Sequence, residues 1–357
     1  MNLKKELVKN TVIIAIGKLS TQVLSFLLLP LYTSKLSTAQ YGEYDFLVTL
    51  SVFLAPIITL LMEDSMFRFL IDAIDSSSRK KVVTQTVLYI GIGTTIFTII
   101  ASIIVEITKY QYGVLFILYI ISIAFISLSN SLSRGLGQVK MYSLSNFILG
   151  ISTILLNLFF ILVLKIGIEG LLLSTIIANI ATALVMFFKL KFFKYVDKNS
   201  IDKKLMIDMI RYSIPLVPNN LSWIIISMSD RLIINQFLGD SANGIYSIAN
   251  KFPYILNTCY GFFSTAWKES AAKILKEKDK EEYYNSIYTD MKKFLFAIVI
   301  CLISVMPFIF PIFINESFSE AYVYIPILVI AIYFSNISNF YGGIFSAYKN
   351  TKIMGTT

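Results

Sequence analysis

Three basic residues, Lys18, Arg231 and Lys251, lie inside apolar stretches long enough to cross a membrane as helix. A charge at that depth is costly and ordinarily faces a polar cavity or an ion path. Three cations so placed point to an anionic cargo. At about 100° per residue, Lys18 falls on one stripe with Thr11, Gln22, Ser25 and Tyr32. Arg231 aligns with Asn220, Ser227 and Asn235, with Asp230 on the flank, and Lys251 aligns with Ser247, Tyr254, Thr258 and Thr265. Lipid would penalise all of these groups together, so each stripe is expected to face protein or water. The expected cavity lining is Lys18, Gln22, Tyr32, Asn220, Asp230, Arg231, Lys251 and Tyr254. The alternative for Asp230 is simple neutralisation of Arg231 or Lys251 as a buried pair. Even then positive charge is left over, unless Glu63 and Asp64 at the inner end of the second stretch balance it.

The elements that must position these residues are membrane helices. Of 357 residues 56% are hydrophobic and only 15% charged, and the mean hydropathy is +0.72. Soluble domains keep about a quarter of their residues charged, so the solvent here is lipid. Stretches of the roughly twenty residues that span the hydrocarbon as helix recur ten times. They fall near 11–33, 45–66, 83–105, 113–133, 143–164, 167–188, 213–236, 245–267, 292–313 and 321–346. The polar connections 189–212 and 268–291 are too short to bury a core. Residues 268–291 carry Tyr284, Ile287, Tyr288 and Met291 on one helical face, which predicts a connector lying on the headgroups.

The N-terminus has Lys4, Lys5 and Lys9 before its first apolar run, yet that run contains Lys18 and no small-x-small site follows it. It therefore reads as a retained helix and not a cleaved signal. The net charge of +9 reports orientation. With the N-terminus inside, only Lys35, Lys109 and Lys165 of the 31 Lys and Arg fall outside and three are intramembrane, leaving 25 on the cytoplasmic side. That asymmetry is the positive-inside pattern, so the excess charge meets anionic lipid and not nucleic acid.

An enzyme is not expected. Histidine is absent, which excludes a His-based metal site, triad or proton relay. The two cysteines, Cys259 and Cys301, have no metal-ligand spacing. There is no phosphate-binding G-x-x-x-x-G-K-[ST] loop, no lobe to hold a nucleotide-sugar and no paired carboxylates facing a cleft. No cofactor is implied.

A shift of 202 residues superimposes Leu19, Ser20, Ser25, Leu36, Gly42 and Tyr44 on Leu221, Ser222, Ser227, Leu238, Gly244 and Tyr246. The shared Leu-x5-Gly-x-Tyr follows the first helix of each half, and its glycine is expected to permit a tight reversal. A repeat every six helices inserts both halves in one orientation, giving parallel lobes related by an axis along the membrane normal. The fold class is therefore all-α, a polytopic membrane protein of about ten transmembrane helices in two parallel repeat lobes. Residues 1–193 form the six-helix N-terminal lobe, 194–211 a cytoplasmic linker, and 212–357 a four-helix C-terminal lobe that the repeat predicts to be incomplete. Proline within the spans at Pro56, Pro253, Pro307, Pro311 and Pro326 allows kinks, while Pro215 and Pro218 open the seventh helix.

The two six-helix halves, the Gly-x-Tyr at 42–44 with its echo at 244–246, and Ser229-Asp230-Arg231 resemble the bacterial polysaccharide flippases. These belong to the multidrug/oligosaccharidyl-lipid/polysaccharide exporter (MOP) superfamily. The resemblance covers essentially the whole chain, through architecture more than signature motifs. It implies a two-lobe cavity opening alternately to either side of the cytoplasmic (inner) membrane. The implied cargo is an undecaprenyl-pyrophosphate-linked oligosaccharide repeat unit for O-antigen or capsular polysaccharide. Lys and Arg would hold the pyrophosphate, Tyr32 and Tyr254 would stack on or hydrogen-bond the sugar, and the prenyl tail would stay in lipid. Implied partners are membrane lipids, a polysaccharide polymerase and a chain-length regulator. Members usually have twelve or more helices, so two helices are expected to be missing. The runner-up is a multidrug or cation antiporter of the same superfamily. Such an exporter needs an acid in the first helix where this chain has Lys18. A third reading is a non-transporting component of the polysaccharide assembly machinery.

Overall fold

The computed structural model describes residues 26–274 and 279–347, and the described residues form helices without strands. In chain order they are α1 (Leu29–Lys35), α2 (Thr38–Thr59), α3 (Met62–Asp72), α4 (Ser76–Thr108), α5 (Gly113–Gly135), α6 (Val139–Leu158, extended by a π turn over Phe159–Val163), α7 (Ile168–Lys189), α8 (Lys203–Ser213), α9 (Leu216–Lys251), α10 (Pro253–Ile274), α11 (Lys280–Phe313) and α12 (Ala321–Ala347). Seven of the described helical segments are long and apolar enough to cross a membrane: 38–59, 76–108, 113–135, 139–163, 168–189, 280–313 and 321–342. Seven of the ten expected spans are therefore matched. The expected first span lies mostly outside the described residues. The seventh and eighth are helical but too polar to qualify, with Asp230, Arg231 and Lys251 in their midst.

The second expected span, 45–66, is corrected. α2 starts earlier, through a capping box in which Ser37 Oγ accepts from Gln40 N–H at 3.2 Å and Gln40 Oε1 accepts from Ser37 N–H at 3.0 Å. It ends at Thr59, where Leu60 and Leu61 both adopt left-handed backbone, φ 46° and 52°. Pro56 has already removed one ladder donor from the last turn. The Thr59 hydroxyl then accepts from Leu61 N–H at 3.2 Å, replacing the helical partner of that group. Two leucines in this conformation cost about 1–2 kcal/mol each. Leu61 is buried and Met62 and Met66 are fully so, within a core of Leu70, Val82, Val83, Leu132, Met186 and Met209, and that burial holds the break in place.

The stretch 194–211, expected to be a cytoplasmic linker, is bonded to α3 and α4. Ser65 Oγ donates to Met209 O at 3.1 Å, Thr84 Oγ1 donates to Tyr195 O at 3.2 Å, and Lys81 Nζ lies 3.0 Å from Asp202 Oδ2. By compactness the chain divides between Asn243 and Gly244, giving units Met1–Asn243 and Gly244–Thr357. In the first unit a second core joins Leu47, Tyr112, Tyr119, Ile168, Leu172 and Ile176. The absence of a Cβ at Gly93 lets α4 lie against α2, since one there would collide with the Ile58 carbonyl oxygen.

The repeated glycines do not make reversals. Gly42 lies inside α2 and Gly244 inside α9, and the turn in α9 is instead Gly239, whose φ of 83° suits only glycine. The expected headgroup connector 268–291 is also corrected. Residues 280–291 are the first turns of α11, whose 34 residues reach about 50 Å. The predicted face is real but packs on protein: Tyr284 and Met291 are buried, Tyr284 OH donates to Ala271 O at 2.9 Å, and Tyr288 meets Phe340. Trp267 completes this second-unit core, stacking on Phe340 at 4.3 Å and donating to its carbonyl at 3.0 Å.

Candidate functional site

The expected stripes divide into a part the structure brings together and a part it separates. Lys18 and Gln22 lie outside the described residues. Arg231 sits in α9 with its side chain 20% exposed, and its Nη1 lies 3.5 Å from Oδ1 of Asp45 on α2, a side chain only 7% exposed. Twelve residues further along α9, Asn243 Nδ2 donates to Gly42 O at 2.8 Å. Two polar contacts therefore tie α9 to the first turns of α2.

The acid that meets the arginine is Asp45, while Asp230 bends back so that its Oδ1 accepts from the Arg231 backbone N–H at 2.9 Å. Arg231 therefore has a carboxylate partner that the sequence reading does not name, Asp45 of α2. Sequence patterning does not single out Asp45, because it stands at the expected start of the second span, where a charge belongs to the interface. The capping box begins α2 two turns earlier and carries Asp45 inside. A usable signal was present, since Tyr41, Tyr44 and Asp45 share a helical face at i, i+3 and i+4.

Aromatic groups share the opening turns of α2 with that acid. Tyr32, the predicted sugar-facing tyrosine, is buried with its ring centroid 5.9 Å from Tyr41, which lies 6.2 Å from Tyr44. Tyr119 of α5 and Thr49 of α2 are buried as well. Tyrosine rings with hydroxyls at membrane depth provide both a stacking surface and hydrogen-bonding groups.

The other predicted residues are elsewhere. Asn220 is half-buried in the opening turns of α9, about 16 Å along the helix from Arg231. Lys251 and Tyr254 belong to the second unit and do not share one continuous stripe: α9 ends at Lys251, Pro253 begins α10, and Tyr254 is 57% exposed while Ser247 is fully buried. The expected eighth helix is split there because proline cannot continue the hydrogen-bond ladder and is well placed as a first helical residue.

The inner-end cluster also separates. Arg68 pairs with Asp72 at 2.7 Å, and Arg134 lies 4.2 Å over the Phe67 ring. Glu63 receives the Thr59 hydroxyl at 3.2 Å on Oε1, while its Oε2 is buried with no hydrogen-bond partner among the described residues. No group of metal-ligating side chains is present among the described residues.

No curated protein matches the chain. Solved structures do. An inward-facing multidrug resistance MATE family transporter of the MOP superfamily superposes with TM-score 0.67 at 18% identity, over 93% of this chain and 86% of that one. A Vibrio cholerae MATE transporter gives 0.60 at 14% identity, over 96% and 85%. A Pyrococcus furiosus MOP superfamily transporter, described as having a binding pocket of reversed polarity, gives 0.57 at 17% identity, over 97% and 84%. These similarities establish that the chain shares the fold of those structures. Residues 7–267 match the family described as polysaccharide biosynthesis protein, and the chain belongs to that family.

Proposed function

We propose that this protein is a flippase carrying polyprenyl-pyrophosphate-linked oligosaccharide repeat units across the cytoplasmic membrane by alternating access, for O-antigen or capsular polysaccharide assembly. The observation that carries the reading is the setting of Arg231. Its guanidinium is held to Asp45 by a contact of 3.5 Å, well beyond the about 2.7–2.9 Å of a well-formed charge-assisted bond. A pyrophosphate oxygen pair matches the planar fork of an arginine better than one distant carboxylate oxygen does. Cargo would then displace Asp45 and loosen the contact between α9 and α2.

Family membership supports the sugar side of this reading and the fold supports translocation. The tyrosines Tyr41 and Tyr44 on the helix of Asp45 suit a saccharide. The Lys/Arg asymmetry supports a cytoplasmic N-terminus. A polymerase and a chain-length regulator are the expected partners. The buried Asp45, together with the multidrug transporters among the structural neighbours, favours a second reading as a cation exporter.

Proteoliposomes separate the two. A polyprenyl-pyrophosphate disaccharide with a quenchable fluorophore on the sugar should change leaflet in the presence of the protein. Arg231→Ala should slow that movement by about tenfold, the value of one charge-assisted bond, whereas Lys35→Ala, at an exposed position, should leave it unchanged. Efflux of ethidium without movement of the lipid-linked sugar would refute the flippase reading and establish the cation exporter.

A further inference from the structure

We infer that the first unit holds a membrane lipid whose head carries a primary ammonium, in a cavity between α2, α4, α5 and α9 whose lining includes neither Arg231 nor Asp45. The cavity has a volume of about 580 Å³, within the range of small-molecule sites. Its walls are apolar, formed by Phe46, Leu50, Leu54, Phe97, Ile104 and Phe116. Its polar groups are gathered at the end where α4 gives way to α5. There Glu43 Oε1 accepts from Tyr110 OH at 2.8 Å and Asp240 Oδ1 accepts from Asn235 Nδ2 at 2.7 Å. The Tyr110 phenol is held above its usual range by burial, then by its bond to Glu43, with the charges of Glu43 and Asp240 adding to the effect. Both acids therefore act on one small region.

The charge of this rim is one-sided. Two carboxylates line the cavity and no lysine or arginine does so among the described residues. The nearby Lys109 is engaged with Glu106. An anionic head would be repelled there, and a neutral one would leave the carboxylates uncompensated. An ammonium donates charge-assisted bonds to both acids, and alkyl chains fill the space below.

The side of entry identifies the occupant as a lipid and not a soluble amine. Ile104 lines the cavity and is 53% exposed, on a helix whose Ile96, Ile100, Ile103 and Ile107 are all exposed too. In a membrane protein that surface faces hydrocarbon, so the cavity opens into the bilayer along α4. The rim lies at the helix end, where headgroups reside, with Tyr110 and Tyr112 edge to face at 5.8 Å as interfacial aromatics.

Native mass spectrometry of the full chain in nanodiscs tests the inference, using phosphatidylethanolamine, phosphatidylcholine and phosphatidylglycerol with identical acyl chains. The ethanolamine lipid should be retained about tenfold over the glycerol lipid, as one charge-assisted hydrogen bond predicts. It should also exceed the choline lipid, whose trimethylammonium has no N–H to donate. Glu43→Gln with Asp240→Asn should abolish the preference. Photocrosslinking with an acyl-chain diazirine on the ethanolamine lipid should label residues 46–54 and 97–105, a readout that needs no variant. Equal retention of the three lipids, a preference unchanged in the double variant, or labelling confined to other segments would each overturn the inference. Retention of dodecylammonium without retention of the ethanolamine lipid would overturn the assignment to a membrane lipid.

Discussion

Neutralising Asp45 measures how α9 is held against α2. At 3.5 Å and an effective dielectric constant of about 20, the attraction between the two charges is about 5 kcal/mol before any cost is counted. Both groups have left water, Asp45 almost completely, and that desolvation offsets most of the gain. A net coupling of about 1–2 kcal/mol remains, inside the range of contacting polar pairs. Asp45→Asn leaves an arginine without its charge partner at a site 20% exposed. The residual exposure keeps the loss to about 1–3 kcal/mol, below the 3–5 of a fully buried broken pair. Arg231→Met should cost a similar amount by taking from the carboxylate its arginine. Because each single variant removes one charge of the pair and the double variant removes both, the double should be less destabilised than the sum by about 1–2 kcal/mol. Thermal unfolding of the purified protein, followed by tryptophan fluorescence, reads this as about 2 °C per kcal/mol. The expected non-additivity is therefore roughly 2–4 °C. Additivity within about 0.5 kcal/mol would refute the pairing, and with it the idea that cargo at Arg231 reports to α2.

Two further outcomes follow from local geometry. Lys109 closes α4 with φ 52° and its side chain is largely exposed, so Lys109→Gly should stabilise by about 1 kcal/mol in the same unfolding assay, glycine having no penalty in that conformation. Below pH 4 the docking of 195–213 should loosen first. Asp202, held low by the Leu205 N–H and then by Lys81, and Asp197, held low by the Asn199 N–H, both titrate below their unfolded value. Their stabilisation is complete above about pH 4 and is lost as the pH falls through the lower folded values. Hydrogen exchange, corrected for its intrinsic pH dependence, should show protection failing at 195–213 before it fails at 113–135.

What was legible in the sequence follows from how strongly lipid filters composition. Gly113–Gly135, Ile168–Lys189 and Ala321–Ala347 lie within two residues of their expected bounds, because an apolar run ends where the hydrocarbon ends. Helices that continue into water were cut short. α4 begins seven residues before its expected start, where Asp75 caps it by accepting from Ser78 N–H at 2.9 Å, and α11 begins twelve residues early. Hydropathy registers the membrane portion of a helix and is blind to its solvated turns. The break at Leu60–Leu61 was illegible for a different reason. Leucine favours helix, and only tertiary burial together with the Thr59 hydroxyl overrides that preference.

The site was half legible, and the half that was missed is the more instructive. Scanning for charge inside apolar stretches finds Arg231, because it stands deep in its run, and passes over Asp45, because a run boundary absorbs it. Yet a buried arginine needs a partner, and the repeat limits where that partner sits. The offset of 202 places Asn243 one residue before the echo of Gly42, and it is Gly42 that Asn243 grips, at 2.8 Å. The helix segment beside one copy of the repeated glycine thus grips the other copy, so Gly42 serves as a contact point and not as a reversal. Since α9 advances about 1.5 Å per residue, stepping back twelve residues from Asn243 brings Arg231 to a level near Asp45 only if α2 and α9 are inclined or kinked. The turn at Gly239, φ 83°, supplies that kink. Gly239 and Asp45, neither chosen from the sequence, are therefore what place Arg231 where it is.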